Sequence, residues 1–261
     1  LRSVVRFHFP LPFCTMKYFT NSKLFFIFLI FLIIFLAQGL VCKYLELNFC
    51  NYGFFINVWE ENGLIENMQS SFLVAAIFFL YKARSNYKHV KMIDYFIIIK
   101  ILALIYFLGE EISWGQHFFN WESPEFFENE NNQQETNLHN ISNLFDQLPR
   151  TLVLIWCSLT PICVIFSKRF INLDKKLLVI LSPNKKLIYI SLIILFFVLP
   201  DLIVDKFSFH PGHVDKFGKE ITAATFYDII SFNFVRLSEL HELLFTFYFA
   251  NYAYFLNKKT I

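Results

Sequence analysis

The chain has 261 residues, of which 56% are hydrophobic, 20% aromatic and only 17% charged, against about 25% charged in soluble domains. A composition this apolar excludes an ordinary soluble fold. The formal net charge of +2 leaves no basic field for nucleic acid, so the information lies in where the charges fall. The 36 Phe read as mutational bias and carry no functional inference.

From the N-terminus, the first methionine is Met16, followed by Lys17, Lys23 and an apolar run. That is how a first membrane helix with a basic flank begins, so residues 1–15 are expected to lie upstream of the translated protein. The run from Leu24 to Val41 exceeds a signal-peptide core and lacks a small-residue cleavage site, which predicts a retained helix. Five further segments reach the roughly 20 residues needed to cross the hydrocarbon core. The predicted spans are 24–41, 64–81, 93–111, 151–167, 187–204 and 234–256. The fold class is therefore all-α, a polytopic bundle of six spans forming a single integral membrane domain over 1–261.

Orientation follows from Lys and Arg. Lys82, Arg84, Lys88 and Lys91 follow the second span; Lys168, Arg169, Lys175, Lys176, Lys185 and Lys186 follow the fourth; Lys258 and Lys259 end the chain. All fall on the side of Lys17 and Lys23, which places both termini in the cytoplasm and the protein in a cytoplasmic membrane. The connections 42–63, 112–150 and 205–233 are acidic or balanced, as the outer face requires. Lys100, inside the third span, is expected to snorkel to the inner surface.

Several apolar runs are too short to span alone. Leu243–Leu256 covers roughly 21 Å at about 1.5 Å per residue, so its helix must begin upstream and draw Glu239, His241 and Glu242 below the outer surface. The second span needs Glu66 and Gln69, the fifth runs through Pro200 and Asp201, and the third runs into Glu110 and Glu111. Isolated carboxylates in hydrocarbon are costly, so these acids are expected to face the interior, pair, bind a cation or line a wet cavity. Glu66 and Glu110 read equally well as interfacial acids that mark helix ends.

The connection 112–150 carries most of the remaining chemistry. From Glu110 to Arg150 there are eight acids (Glu110, Glu111, Glu122, Glu125, Glu128, Glu130, Glu135, Asp146) against one base, Arg150, interleaved with Phe118, Phe119, Trp121, Phe126 and Phe127. This predicts an amphipathic cap on the outer mouth of the bundle. Ser123-Pro124-Glu125 offers an N-cap, a favoured first helical residue and a first-turn acid, and Leu138, Ile141, Leu144 and Phe145 predict a second short helix over 137–145. If the third helix continues outward, Glu110, Trp114 and His117 stack on one face; Glu135 and His139 repeat the i,i+4 relation.

Carboxylate and imidazole are the usual ligands of zinc or iron, so His139, His241 and Glu110 form the candidate set for a possible divalent metal. Glu110, Glu111, His139, Glu239 and Glu242 are the candidate catalytic residues, with Glu66, Trp114, Gln116, Asn137 and Asp201 as further polar-site residues. The chain contains no HExxH, di-iron ExxH, GxSxG or phosphate-binding glycine loop. Ser113 with His117 and Glu110 has a triad's composition, but neighbours on one helix rarely reach triad geometry. His210 and His213 read equally as loop residues, and Asn140-Ile-Ser142 is a glycosylation sequon meaningful only in a secretory host. Of Cys14, Cys42, Cys50, Cys157 and Cys163, only Cys42 and Cys50 flank one loop; free thiols are the expectation there, a bridge the alternative.

The blocks GEEISWGQ at the end of the third span and ETNLHN some twenty residues on, with ENGLIEN opening the second span and SELHELL in the last, resemble a family of bacterial polytopic membrane proteins over residues 60–254. That resemblance implies a multi-pass fold and no specific activity; His117 departs from the basic residue expected at its position. A thinner likeness to ceramidase-like membrane hydrolases extends to enzyme class alone, because the HxxxH of their last helix does not occur here.

The expectation is thus an outward Glu/His site in a membrane-embedded hydrolase or transferase acting on a lipid-linked substrate, partnered by the bilayer. Alternatives are a non-catalytic accessory protein that docks a membrane protein, then an ion-coupled transporter.

Overall fold

The computed structural model describes residues 22–45, 58–59, 63–119, 121–131, 135–138, 141, 143–162, 164, 180–206 and 235–259. Among these the chain is helical, with no strand. The long helices are α1 (Ser22–Leu45), α2 (Leu64–Tyr87) and α3 (Lys91–Glu111). Short α4 (Gln116–Phe119) and α5 (Glu125–Glu130) follow, then α6 (Asn143–Leu154), α7 (Leu187–Lys206) and α8 (Leu237–Lys258).

Three helices are long and apolar enough to cross a membrane: α1 over Phe25–Cys42, α2 and α3. Shorter apolar stretches occupy Leu148–Ile162 and Leu187–Pro200. The 22-residue α8 has the length to cross but carries Glu239 and Glu242 in its first two turns.

Apolarity and burial run in opposite directions, as they do when the surroundings are themselves apolar. The uniformly apolar α1 turns Phe26, Ile30 and Ile33 outward, and Tyr95, Ile99 and Leu102 of α3 are equally exposed. The more polar α8 is buried on almost every face from Glu239 to Leu256. Its principal neighbour is α2, whose Ala75, Ala76 and Ala83 are buried at 4% or less and let the two backbones approach closely. Gln69 hydrogen-bonds to Glu239 at one end of this pair, while Asn86 bonds to the carbonyl of Asn257 at the other. The two helices therefore run parallel. Phe247 of α8 stacks on Phe28 of α1 at 3.7 Å, and Phe72 of α2 meets both rings edge-on.

The hairpin between α2 and α3 is tighter than the charges predict. α2 continues through Lys82 and Arg84 to Tyr87, beyond the expected end at residue 81. Arg84 does not project into a basic loop; its Nε donates to Asp94 of α3 at 2.7 Å. Lys100 is also corrected: it turns inward and lies over the Trp156 ring at 3.7 Å and the Tyr252 ring at 4.5 Å. Cys42 is disulfide-bonded, not a free thiol, and its partner lies outside the described residues; Cys157 is free and buried.

The fourth apolar helix starts well before residue 151. It begins at Asn143, accommodates Pro149, and widens to a π-helical turn over Ile155–Leu159. A π turn disturbs the carbonyl ladder, and two serines compensate: Ser158 donates to the Leu154 carbonyl, and Ser191 of α7 donates to the Cys157 carbonyl at 2.5 Å.

Candidate functional site

At Glu111 the helix stops abruptly. Ser113, Trp114 and Gly115 have φ of 45, 53 and 98°, a run of left-handed residues that only Gly115 adopts without steric cost. The continuous helix that would stack Glu110, Trp114 and His117 is therefore absent, and the His117 side chain lies outside the described residues. Trp114 instead folds back along α3. Its Nε1 donates to Glu110 Oε1 at 2.9 Å, and its indole covers Gly109, where a Cβ would lie 2.9 Å from ring atoms.

The other Glu110 oxygen, Oε2, accepts the backbone N–H of Leu138 at 2.6 Å. Around this bond Asn131 and residues 135–138 close onto the turn. Ser113 Oγ donates to Glu135 at 2.7 Å and accepts from Asn137 at 3.1 Å. Gln116 Oε1 takes the backbone N–H of Thr136 at 2.7 Å, while its Nε2 donates to Ser123 at 2.8 Å. Asn131, buried at 3%, donates to the Glu135 carbonyl at 2.7 Å and to Asn137 Oδ1 at 2.8 Å. The GEEISWGQ and ETN sequences are thus two halves of one polar latch.

This geometry revises three local expectations. Ser123 accepts from Gln116 and makes no cap: the helix begins at Glu125 with Pro124 as its N-cap residue. Residues 135–138 are not helical, so the helix that would set Glu135 and His139 on one face is not formed there, and the helix expected over 137–145 is found from Asn143. Ser113, engaged with Glu135 and Asn137, is no nucleophile of a triad.

One residue on from Glu110, Glu111 meets quite different surroundings. It lies deep in the bundle, within electrostatic reach of Glu242, Glu239, Glu66 and Arg150, yet keeps part of its surface accessible. No described residue donates a hydrogen bond to its carboxylate. Glu239 and Glu242 are 8% and 7% exposed, as expected of acids drawn in by a short apolar run. Gln69 Nε2 donates to Glu239 Oε2 at 3.1 Å, Arg236 approaches Glu239 at 3.7 Å, and Arg150 Nη2 pairs with Glu242 at 2.5 Å. Gln69 Oε1 is buried with no partner. Among the described residues four carboxylates from α2, α3 and α8 thus come within electrostatic reach of Arg150 or Arg236, and like charges held this close in so little water raise the cost of ionising all of them.

His241 lies within electrostatic reach of Arg150 but engages other groups. Its ring bonds to the backbone carbonyl of Phe197, its Nε2 is buried without a partner, and it leans on Phe245 with ring centres 6.5 Å apart. Both Glu110 oxygens are engaged in the latch, and among the described residues no three His, Cys, Asp or Glu side chains are placed to hold a metal. His139, His210, His213 and the Asp201 side chain lie outside the described residues.

Two members of the cluster had little weight in the sequence. Arg150 was the single base in a forty-residue acidic stretch, which marked it as the available counter-charge. Gln69 figured only in a length argument, although a glutamine inside an apolar run generally needs a buried partner. Comparison with protein-family models, curated proteins and solved structures finds no match.

Proposed function

We propose that the chain is a six-span protein of the cytoplasmic membrane, with both termini inside. In this reading the acidic cluster of Glu66, Glu111, Glu239 and Glu242 is an outward site that uses carboxylate chemistry on a lipid-linked substrate. Three apolar helices compatible with membrane insertion support the membrane reading. The parallel run of α2 and α8 is what spans two and six require, and an oxidised Cys42 suits an outer connection after α1.

The observation that carries the site is the contrast at the end of α3. Glu110 is enclosed by donors, whereas among the described residues Glu111 has none and sits among acids beside Arg150. A carboxylate without a structural partner, held near like charges, is suited to taking a proton from water or from a substrate hydroxyl. Arg150, a half-buried planar cation, then opposes negative charge that develops on the attacked group. Glu239 and Glu242 hold the guanidiniums in place. The reaction class is hydrolysis or transfer of a lipid-linked group.

The test compares total lipid extracts, by mass spectrometry, from cells carrying no copy of the protein, the wild type or Glu111→Gln. Lipid-linked species altered by the wild type and unaltered by the equally abundant variant are expected. Identical changes with both proteins would remove the catalytic reading.

The exposed cap favours one second reading. Phe119 and Trp121 stack at 5.8 Å while 77% and 40% exposed, as an accessory protein's docking face for a membrane partner would be. In that case Phe119→Ala with Trp121→Ala abolishes the cellular phenotype while Glu111→Gln leaves it intact. An ion-coupled transporter has least support: the described inner half offers Asp94, paired with Arg84, and the caged Lys100.

A further inference from the structure

Lys100 lies about 14 Å along α3 from its start at Lys91, at roughly 1.5 Å per residue, and so near the middle of a span. Its ammonium is surrounded by ring faces: Trp156 at 3.7 Å, Tyr252 at 4.5 Å, Phe96 at 5.2 Å and Phe249 at 5.4 Å. Among the described residues it has no hydrogen-bond acceptor and no carboxylate partner. Cation–π contacts offset part of the cost of a charge in such surroundings, but they leave three N–H donors unanswered.

Beside the ammonium is a cavity of about 160 Å³. Apart from Lys100 its walls are apolar or aromatic, and they include Leu80, Leu104, Val153 and Phe249. Trp156 forms another wall, and its indole N–H is a second donor without a partner. Ala103 of α3 and Leu152 of α6 lie at the rim and are exposed, Leu152 at 59%. The opening therefore faces what surrounds the bundle between α3 and α6, away from the acidic cluster. A cavity of this order holds an apolar body about the size of benzene. It accommodates the first carbons of a chain but not a whole lipid.

An apolar, laterally open cavity ending in an unanswered ammonium complements one kind of molecule, an apolar chain with a negatively charged acceptor at its tip. We propose that this cavity binds the anionic head of a single-chain amphiphile, paired with Lys100, while the chain leaves between Ala103 and Leu152 into the lipid. The site is separate from the Glu111 cluster, and neither proposal depends on the other.

The experiment uses the full chain purified in an uncharged detergent and measures binding of radiolabelled palmitate, with hexadecanol and dodecyl phosphate as competitors. Saturable binding of about one palmitate per chain is expected. Lys100→Met should weaken it about thirtyfold or more, as loss of one partner of a desolvated charge pair does. Ala103→Phe, which fills the rim and leaves the charge untouched, should abolish binding at an unchanged melting temperature; this variant decides the matter if Lys100→Met fails to fold. Competition by dodecyl phosphate as strong as by palmitate supports a general anionic head, and weaker competition a carboxylate. Equal displacement by hexadecanol, equal binding to Lys100→Met, or absence of saturable binding would overturn the proposal.

Discussion

Glu110 and Glu111 are adjacent in sequence and both stand at the last turn of α3, but the fold treats them differently. Glu110 faces the returning cap, where an indole N–H and a backbone N–H fill its two oxygens. A helix turns about 100° per residue, so Glu111 points into the bundle, where α2 and α8 bring three more acids. The first arrangement stabilises a shape. The second stores unfavourable charge that the fold has to support elsewhere, as functional sites commonly do.

The largest effect is expected where the latch loses its acceptor. Glu110→Ala leaves the Trp114 and Leu138 donors unanswered, at about 1–3 kcal/mol each. Thermal unfolding in detergent should show a large loss of stability, and protease should cut more readily near residues 113–138. Glu110→Gln keeps one acceptor oxygen and should fall between. A Glu110→Ala protein as stable as the wild type would mean that the latch is incidental.

Next in size is the counter-charge. Arg150→Met takes the guanidinium from Glu242, which is 7% exposed. Removing one partner of a buried pair costs about 3–5 kcal/mol, and the partly exposed Arg150 should place this case at or below the lower end. Raised salt should not mimic the loss, because buried pairs are poorly screened.

Gly109→Ala comes third. Its Cβ would lie 2.9 Å from the Trp114 ring, and displacing the indole should cost about 1–3 kcal/mol together with a red shift in tryptophan emission. An unshifted emission spectrum would show that the ring does not need that space.

How much of this was legible depends on range. Run length and charge placed α2, α3 and α8 close to where they lie, and the shortness of the apolar run Leu243–Leu256 in the last helix pointed to burial of Glu239 and Glu242 because hydrocarbon thickness is a fixed ruler. The left-handed turn at Ser113–Gly115 was not legible. Ser113 and Trp114 are held at positive φ by a tertiary bond from Ser113 to Glu135 and a local one from the Trp114 indole to Glu110, and propensity cannot register a bond to a residue some twenty positions away. Lys100 was misread for a related reason: snorkelling is the default for a lone lysine, and only the tertiary meeting of Trp156, Phe249 and Tyr252 offers it an alternative. Glu111 was correctly grouped with the acids, but nothing local distinguished its role from that of Glu110.

The smallest expected change in stability is also the most discriminating. Glu111→Gln removes a charge from among like charges and strands no donor, so its own effect should lie within about 0.5 kcal/mol of zero or be stabilising. Combined with Arg150→Met it should recover part of the stability lost, because one fewer carboxylate then needs the missing guanidinium. A coupling of about 0.5–3 kcal/mol is the range for residues that share an electrostatic network. The same cycle run with Glu110→Gln should show additivity, since the Glu110 oxygens answer to Trp114 and Leu138 and not to Arg150. Coupling at Glu110 and none at Glu111 would reverse the roles of the two neighbours and move the candidate site into the cap.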